Sequence, residues 1–387
     1  MMFHKKNLIL IGSAARKAGK TALACRIILR YAPFTEVVGI KITTIKDDDP
    51  GFHGGKGGSK YHSVEGRYQI LEETVPSDDN DTGRMLKEGA SRVYWLKVRR
   101  EYLKEGIEAL LDRIPDNVCA VAEGTSARSI VEPGVFIVLG EKNNPSMKDS
   151  CAAVIHLADK VATFDGRAWD FPPEDCLFID NEWMIRPKAS AIVLAGGDSR
   201  RMGRDKGLLP VEGKPMIALI VSQLKNLFNE IVISANKTDD YRFLGLEIVP
   251  DLKPGQGPLM GIVSSLPHST NDVNFVVACD IPYLKLSFAS RLIKLADGYD
   301  MVLPYAEDQK YEPLFAVYRK STIEPALNIL KRGGRSIIEL LDYVKVHLVK
   351  IPEGSWYRNI NTASDYRNLS ATKSGSGPPR SWGKDPA

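Results

Sequence analysis

Three observations predict an α/β protein with two doubly wound, mostly parallel sheets: an N-terminal P-loop domain and a C-terminal Rossmann-like domain. Apolar runs of strand length alternate with segments of helical composition, the pattern of parallel strands covered by helices on both faces. Two of these runs, residues 7–11 and 190–194, lead directly into glycine-bearing loops that carry cations. Between them, residues 172–188 break the apolar pattern with Pro172, Pro173, Pro187 and a basic Arg186–Lys188, which reads as a linker. The expected domains are residues 1–171 and 189–369. Residues 370–387, rich in Ser, Gly and Pro, are expected to be disordered.

The 387 residues suffice for two to three domains, and 43% hydrophobic with 26% charged residues is a soluble globular composition. Net charge is only +4, which argues against nucleic acid or a membrane surface as partner. The five cysteines are scattered with no CxxC pair, so neither a metal cluster nor a disulfide framework is expected, and a reducing cytoplasm fits. No apolar run reaches the ~18–20 residues that span a bilayer.

Residues 7–11 are the first expected strand. Gly12, Gly19, Lys20 and Thr21 lie in the loop after it, and residues 22–30 have helical composition. This is the layout that holds nucleotide phosphates. Helix amides and the lysine face phosphate oxygens, and the threonine hydroxyl faces Mg²⁺. The usual first glycine falls on Ala14, with Gly12 the nearest available, so a plain strand–turn–helix is the alternative. Gly19, Lys20 and Thr21 are the candidate nucleotide-binding residues. Residues 37–42 form a second strand with Lys41 at its end. Residues 47–59 read as a loop, and His53 and His62 as solvated side chains rather than ligands. An amphipathic helix is expected over 101–113. A strand over 118–122 ends at Glu123, which suits a Mg²⁺ partner of the loop or an ordinary strand end. Strands are expected over 135–139 and 152–156.

In the second half, residues 190–194 make a buried strand. Ala195, Gly196 and Gly197 follow with almost no side chain, then Arg200, Arg201, Arg204 and Lys206. Absent side chains let ligand oxygens reach backbone amides while the cations neutralise charge. Helices are expected from 216 to 228, after Gly257 to about 266, over 322–331 and over 336–342, and a last short one over 365–369. Strands are expected over 231–235, 246–249, 274–278, 300–304, 314–318 and about 357–362. Asp280 closes a central strand at the carboxyl edge, where α/β sheets bind ligands, and offers a hard oxygen for Mg²⁺. Asp280 could equally be a helix cap, and Cys279 reads as a small packing residue. No Ser–His or Cys–His arrangement supplies an activated nucleophile. The natural chemistry is direct attack of a substrate phosphate on the α-phosphate of a nucleoside triphosphate, helped by positioning and charge neutralisation.

Two resemblances follow. Ala18-Gly19-Lys20-Thr21, Gly39-Ile40-Lys41, Asp81-Thr82-Gly83-Arg84, Glu88-Gly89-Ala90 and Glu123-Gly124 resemble the P-loop adapter protein of molybdopterin guanine dinucleotide biosynthesis. That resemblance implies a GTP-binding adapter domain. Leu194-Ala195-Gly196-Gly197, Arg201-Met202-Gly203, Asp205-Lys206, Gly213-Lys214-Pro215, Gly257-Pro258-Leu259, Gly261, Cys279-Asp280, Pro282 and Asn359-Ile360-Asn361-Thr362 are similar to molybdenum cofactor guanylyltransferase. It implies GMP transfer from GTP to molybdenum-molybdopterin with Mg²⁺ as cofactor. It implies GTP contacts at Leu194, Ala195, Gly196, Gly197, Lys206, Asp251 and Asp280, with the guanine contact at Ser234 or Asn236. Arg201, Lys206 and Asp280 are then catalytic, Asp280 is the metal ligand, and Gly257, Pro258, Asn359 and Asn361 meet the molybdopterin. Molybdoenzymes or molybdopterin insertion proteins are the implied partners. A cytidylyl- or sugar-phosphate nucleotidyltransferase of the same fold, and a nucleotide-responsive binding protein, are the alternatives.

Overall fold

The computed structural model describes residues 2–15, 18–45, 64, 66–141, 147–195, 205–306, 310–352 and 365. Gly196, Gly197, Arg201, Asn359 and Asn361 lie outside them, as do Arg200, Arg204, His53, His62, the expected strand over 357–362, nearly all of the helix over 365–369 and the tail over 370–387. The chain divides into two compact units, Met1–Ile185 and Arg186–Ala387.

The first unit runs β1 (Phe3–Ser13), α1 (Lys20–Tyr31), β2 (Val37–Ile45), β3 (Tyr68–Glu73), α2 (Asp81–Lys87), β4 (Arg92–Arg99), α3 (Leu103–Leu111), β5 (Cys119–Glu123), β6 (Val131–Glu141), α4 (Asp149–Ala152), β7 (Lys160–Phe164), β8 (Cys176–Ile179) and β9 (Glu182–Ile185). Seven strands form one sheet in the order β3-β4-β2-β5-β1-β6-β7. Only β3–β4 is antiparallel. The two-residue alternation of β1 sorts its side chains to opposite faces. Ile9 and Ile11 pack with Leu23, Ile27 and Ile28 of α1, and Leu8 and Leu10 pack with Ile107 and Leu110 of α3.

Two expectations need correction here. Residues 152–156 are not a strand: α4 ends at Ala152, and a 3-10 turn covers Ile155–Leu157. The strand is β7, eight residues on, whose edge position leaves Val161 exposed and so weakens its apolar signal. Nor are residues 172–188 all linker. Residues 176–185 form the β8–β9 hairpin, turned by Asp180 and Asn181 with φ of 55° and 60°, the positive values a two-residue hairpin turn demands. Trp183 is buried and donates from Nε1 to the Ala120 carbonyl at 3.1 Å, so the hairpin closes the core of the first unit.

The second unit runs β10 (Ser190–Leu194), β11 (Pro210–Val211), β12 (Lys214–Pro215), α5 (Met216–Leu224), β13 (Ile231–Ser234), β14 (Glu247–Val249), α6 (Pro258–Ser265), β15 (Val273–Ala278), α7 (Leu286–Lys294), β16 (Met301–Tyr305), β17 (Phe315–Arg319), α8 (Ile323–Lys331) and β18 (Val346–Lys350). The main sheet is ordered β14-β13-β10-β15-β17-β16-β18. Strand β17 runs antiparallel to β15 and β16, and the other pairs are parallel. The helix expected over 336–342 is a 3-10 turn at Ile338–Asp342. One face of the sheet packs on α6 and α8; Phe228, Phe275, Phe315 and Phe288 form a continuous aromatic chain elsewhere in the core. Among the described residues no helix is long and apolar enough to cross a membrane.

Candidate active site

All five residues of β10 are buried, as a central strand requires, and the register aligns the carboxyl ends of four neighbouring parallel strands. Leu194 lies beside Ser234 of β13 and Ala278 of β15. The chain continues the alignment just past the strands. Ala195 N–H donates to the Ser234 carbonyl at 2.9 Å, Ala235 N–H to Val249 at 3.0 Å, and Cys279 N–H to Leu194 at 3.0 Å. One row of strand ends thereby presents Leu194, Ala195, Ser234, Asn236, Asp251 and Asp280, six of the residues singled out from sequence.

Within that row two polar pairs form. Asn236 Nδ2 donates to Asp251 Oδ2 at 2.8 Å, and Asp251 N–H donates to Asn236 Oδ1 at 2.9 Å, so each fixes the other. Lys206 Nζ lies 3.3 Å from Asp280 Oδ2. Lys206 begins a 3-10 turn, Lys206–Leu208, capped by Asp205, whose Oδ1 accepts the Gly207 N–H at 3.0 Å. The other oxygen, Asp280 Oδ1, is buried with no hydrogen-bond partner among the described residues. Such an orphan acceptor is costly, and a hard cation would satisfy it, so the residues present fit a divalent ion. No group of three or more His, Cys, Asp or Glu gathers at one point among the described residues, so Asp280 would be one ligand beside substrate oxygens and water. Burial, reinforced by the Asp280 and Asp205 carboxylates, pushes the Cys279 thiol up to about 12. It packs as a neutral group.

Gly261 was quoted in the motif but not weighed as a site residue. A Cβ there would lie 2.8 Å from Ser234 Oγ and 3.4 Å from both Asp251 Oδ1 and Leu194 Cδ2. Its missing side chain lets the first turn of α6 close onto three predicted GTP contacts. Gly257 and Pro258 open that helix, Gly257 with φ of 81°, a conformation that glycine tolerates best, and Pro258 at the first helical position.

The first unit holds a second cluster at the end of β1. Gly19 has φ of 79°, and a Cβ would meet the Phe164 ring at 2.8 Å, so both conformation and space require glycine. Lys20 Nζ donates to Ser13 Oγ at 2.9 Å, and Thr21 Oγ1 donates to Glu123 Oε2 at 2.8 Å. Lys41 Nζ pairs closely with Asp81 and lies 3.9 Å from Glu123 Oε1. Glu123 is buried. That burial, with the Asp81 carboxylate nearby, raises its proton affinity against the opposing pull of Lys41 and Lys20. Burial also acts to raise Asp81, but the charge and hydrogen bond of Lys41 prevail and hold it below the ordinary value. Asp81 and Lys41 were not weighed as site residues. Their signal in the sequence is a lysine inside the apolar second strand and an aspartate opening α2.

A row of strand ends with a lysine–carboxylate pair, and no nucleophile–base arrangement among the described residues, fits an α/β nucleotidyltransferase. Residues 191–346 match the family described as MobA-like NTP transferase domain. The chain is 36% identical to a probable molybdenum cofactor guanylyltransferase of Pelotomaculum thermopropionicum, over 46% of this chain and 90% of that protein. It is 36% identical to the protein of the same description from Carboxydothermus hydrogenoformans, over 46% and 92%. A solved structure, molybdopterin-guanine dinucleotide biosynthesis protein A from Archaeoglobus fulgidus, aligns at 24% identity over 48% of this chain and 100% of its own, with a TM-score of 0.43. Through its C-terminal half the chain belongs to the MobA-like NTP transferase family, and it is a nucleotidyltransferase. The named relatives cover that half alone.

Proposed function

We propose that the C-terminal unit transfers GMP from GTP to molybdenum-molybdopterin, giving molybdopterin guanine dinucleotide cofactor and pyrophosphate. The observation that carries this reading is the Lys206–Asp280 pair with Asp280 Oδ1 buried and unmatched, in a chain similar to probable molybdenum cofactor guanylyltransferases. In the proposed reaction an oxygen of the molybdopterin phosphate attacks the α-phosphorus of GTP. A P–O bond forms there as the bond to the bridging α–β oxygen breaks, and pyrophosphate leaves with the electron pair. Lys206 would neutralise phosphate charge as it moves to the leaving group. Asp280 would hold Mg²⁺, which when bound supplies Lewis acidity toward phosphate oxygens. Leu194, Ala195, Gly196 and Gly197 would line the triphosphate and nucleoside, Asp251 with Ser234 or Asn236 would read the guanine, and Arg201 would face the reacting phosphates. Gly257, Pro258, Asn359 and Asn361 would receive the pterin.

For the N-terminal unit we propose nucleotide-phosphate binding at Gly19, Lys20 and Thr21 as a GTP-binding adapter domain. Support comes from the left-handed Gly19 with Lys20 and Thr21 beside the buried Glu123. Carrying both units on one chain would raise the effective concentration of one site at the other. The deciding experiment incubates the full chain with molybdenum-molybdopterin, Mg²⁺ and GTP, CTP or UTP, followed by product mass. Pyrophosphate and the guanine dinucleotide are expected with GTP. A cytidine product would move the chain to a cytidylyltransferase, and pyrophosphate release with no dependence on molybdopterin would remove the acceptor proposed here.

A further inference from the structure

One phenol touches both described ends of the stretch between β10 and Lys206. Tyr241 comes from the 3-10 turn Thr238–Leu244 and is 1% exposed. Its hydroxyl donates to the Ala195 carbonyl at 3.1 Å, and the Asp205 carboxylate lies close enough to act on it electrostatically. Asp205 caps the turn that starts at Lys206. Gly207 packs on the same hydroxyl, since a Cβ there would lie 3.2 Å from Tyr241 Oη. We propose that Tyr241 is a positioning residue for nucleotidyl transfer, whose hydroxyl fastens the end of β10 to the turn that aims Lys206 at Asp280.

The chemistry of the contact suits a fastener. The hydroxyl donates to the carbonyl that ends one segment and packs against Gly207 in the other, and both segments carry site residues. Burial, reinforced by the Asp205 carboxylate, raises the phenol well above its ordinary value, so it stays a donor throughout the physiological range. A phenylalanine would fill the same space and take this donor from the Ala195 carbonyl. The cost falls on the placement of Lys206 rather than on the core. The inference rests on the reading of Lys206 and Asp280 as the phosphate- and metal-facing pair.

The test compares two full-chain variants. Tyr241→Phe removes this hydroxyl. Tyr318→Phe removes another from a fully buried tyrosine of β17, which donates to the Pro313 carbonyl at 2.7 Å and not to the end of β10 or the Lys206 turn. Tyr241→Phe is expected to lower kcat for pyrophosphate release by about tenfold, the worth of one buried hydrogen bond, with a smaller change in KM for GTP. It is also expected to speed tryptic cleavage at Lys206 in substrate-free protein by about fivefold, because the turn opens more often. Tyr318→Phe is expected to do neither. Equal kcat and equal cleavage in Tyr241→Phe and wild type overturn the proposal, and so does a matching loss in Tyr318→Phe. Should wild type turn over no GTP at all, the substrate assignment falls while the cleavage comparison still decides: faster cutting in Tyr241→Phe alone supports the fastening role, and equal cutting overturns it.

Discussion

Each unit gathers polar side chains at the end of a buried central strand, yet the two clusters treat them in opposite ways. In the first unit the groups are matched within the fold: Lys20 on Ser13, Thr21 on Glu123, and Lys41 on Asp81. In the second, Asp280 uses one oxygen for Lys206 and keeps the other buried with no partner among the described residues. An unmatched buried acceptor costs about 1–3 kcal/mol. A fold tolerates that where a ligand completes the shell, and active sites are where such strain collects. The first cluster is complete before any ligand arrives, so binding there must exchange internal partners for phosphate. The second is incomplete until something fills it. That contrast supports the proposed placement of the chemistry in the C-terminal cluster.

The hardest test of the contrast is removal of the open group. Asp280→Ala is expected to reduce GMP transfer by about 10³-fold, the scale of losing a metal- or charge-stabilising group at a reacting phosphate. Its melting temperature should stay near or above that of wild type, because the orphan acceptor goes with it. Pyrophosphate release and a thermal melt on the same preparation check both halves of the statement. Near wild-type turnover would remove Asp280 from the metal site.

A smaller effect is expected at the closed cluster. Lys20→Ala should leave pyrophosphate release within about twofold of wild type while weakening nucleotide binding to the first unit by about 30–100-fold, the worth of a charge-assisted phosphate contact. Calorimetric titration of the full chain with Mg²⁺ and GTP should resolve two binding events in wild type and the loss of one in the variant. Loss of pyrophosphate release in Lys20→Ala would mean that the two clusters are not independent.

The turn at Gly19 was legible in the sequence, because it follows an apolar strand and uses glycine where a side chain cannot fit, whereas most of the loop after β10 lies outside the described residues. The central strands β1, β2, β5, β10, β13 and β15 were legible for the same reason: a strand buried on both faces is a plain apolar run. What sits at the edges was not. Strand β7 buries only Ala162 fully, and β3 buries no residue fully, so neither gives a continuous run. The β8–β9 hairpin was hidden by Pro172 and Pro173, which in fact open a turn ahead of it. Helix α7 was missed, although Leu286, Phe288, Ala289 and Leu292 all face the core. Residues that act through a neighbour were least visible. Tyr241 carries no signal except its aromatic character in a polar turn, and the role proposed for it rests on the Ala195 carbonyl and the Gly207 turn meeting at one hydroxyl.

The smallest expected effect concerns the internal cost of the closed cluster. Glu123 is raised above its ordinary 4.5, first by burial and then by the Asp81 carboxylate. A raised carboxylate binds its proton more tightly in the folded state than in the unfolded one. Stability therefore falls as pH climbs from the ordinary value through the raised one, and the full cost persists above it. Asp81 acts with the opposite sign. Burial pushes it up, but Lys41 holds it below 3.8, so its contribution is present above that value and lost as pH falls through the lowered one. The two windows lie on opposite sides of about pH 4. Glu123→Gln keeps an acceptor for Thr21 and removes the first window alone. At pH 7 it should raise the melting temperature by about 2–4 °C, roughly 1 kcal/mol for a unit of this size. The gain should shrink as pH is lowered toward 5. Tryptophan fluorescence can follow the melt, with Trp95, Trp169 and Trp183 contributing from this unit. If wild type and variant keep the same gap from pH 7 down to the ordinary value, Glu123 binds its proton no more tightly in the folded state than in the unfolded one, and the first cluster is less tightly closed than its hydrogen bonds imply.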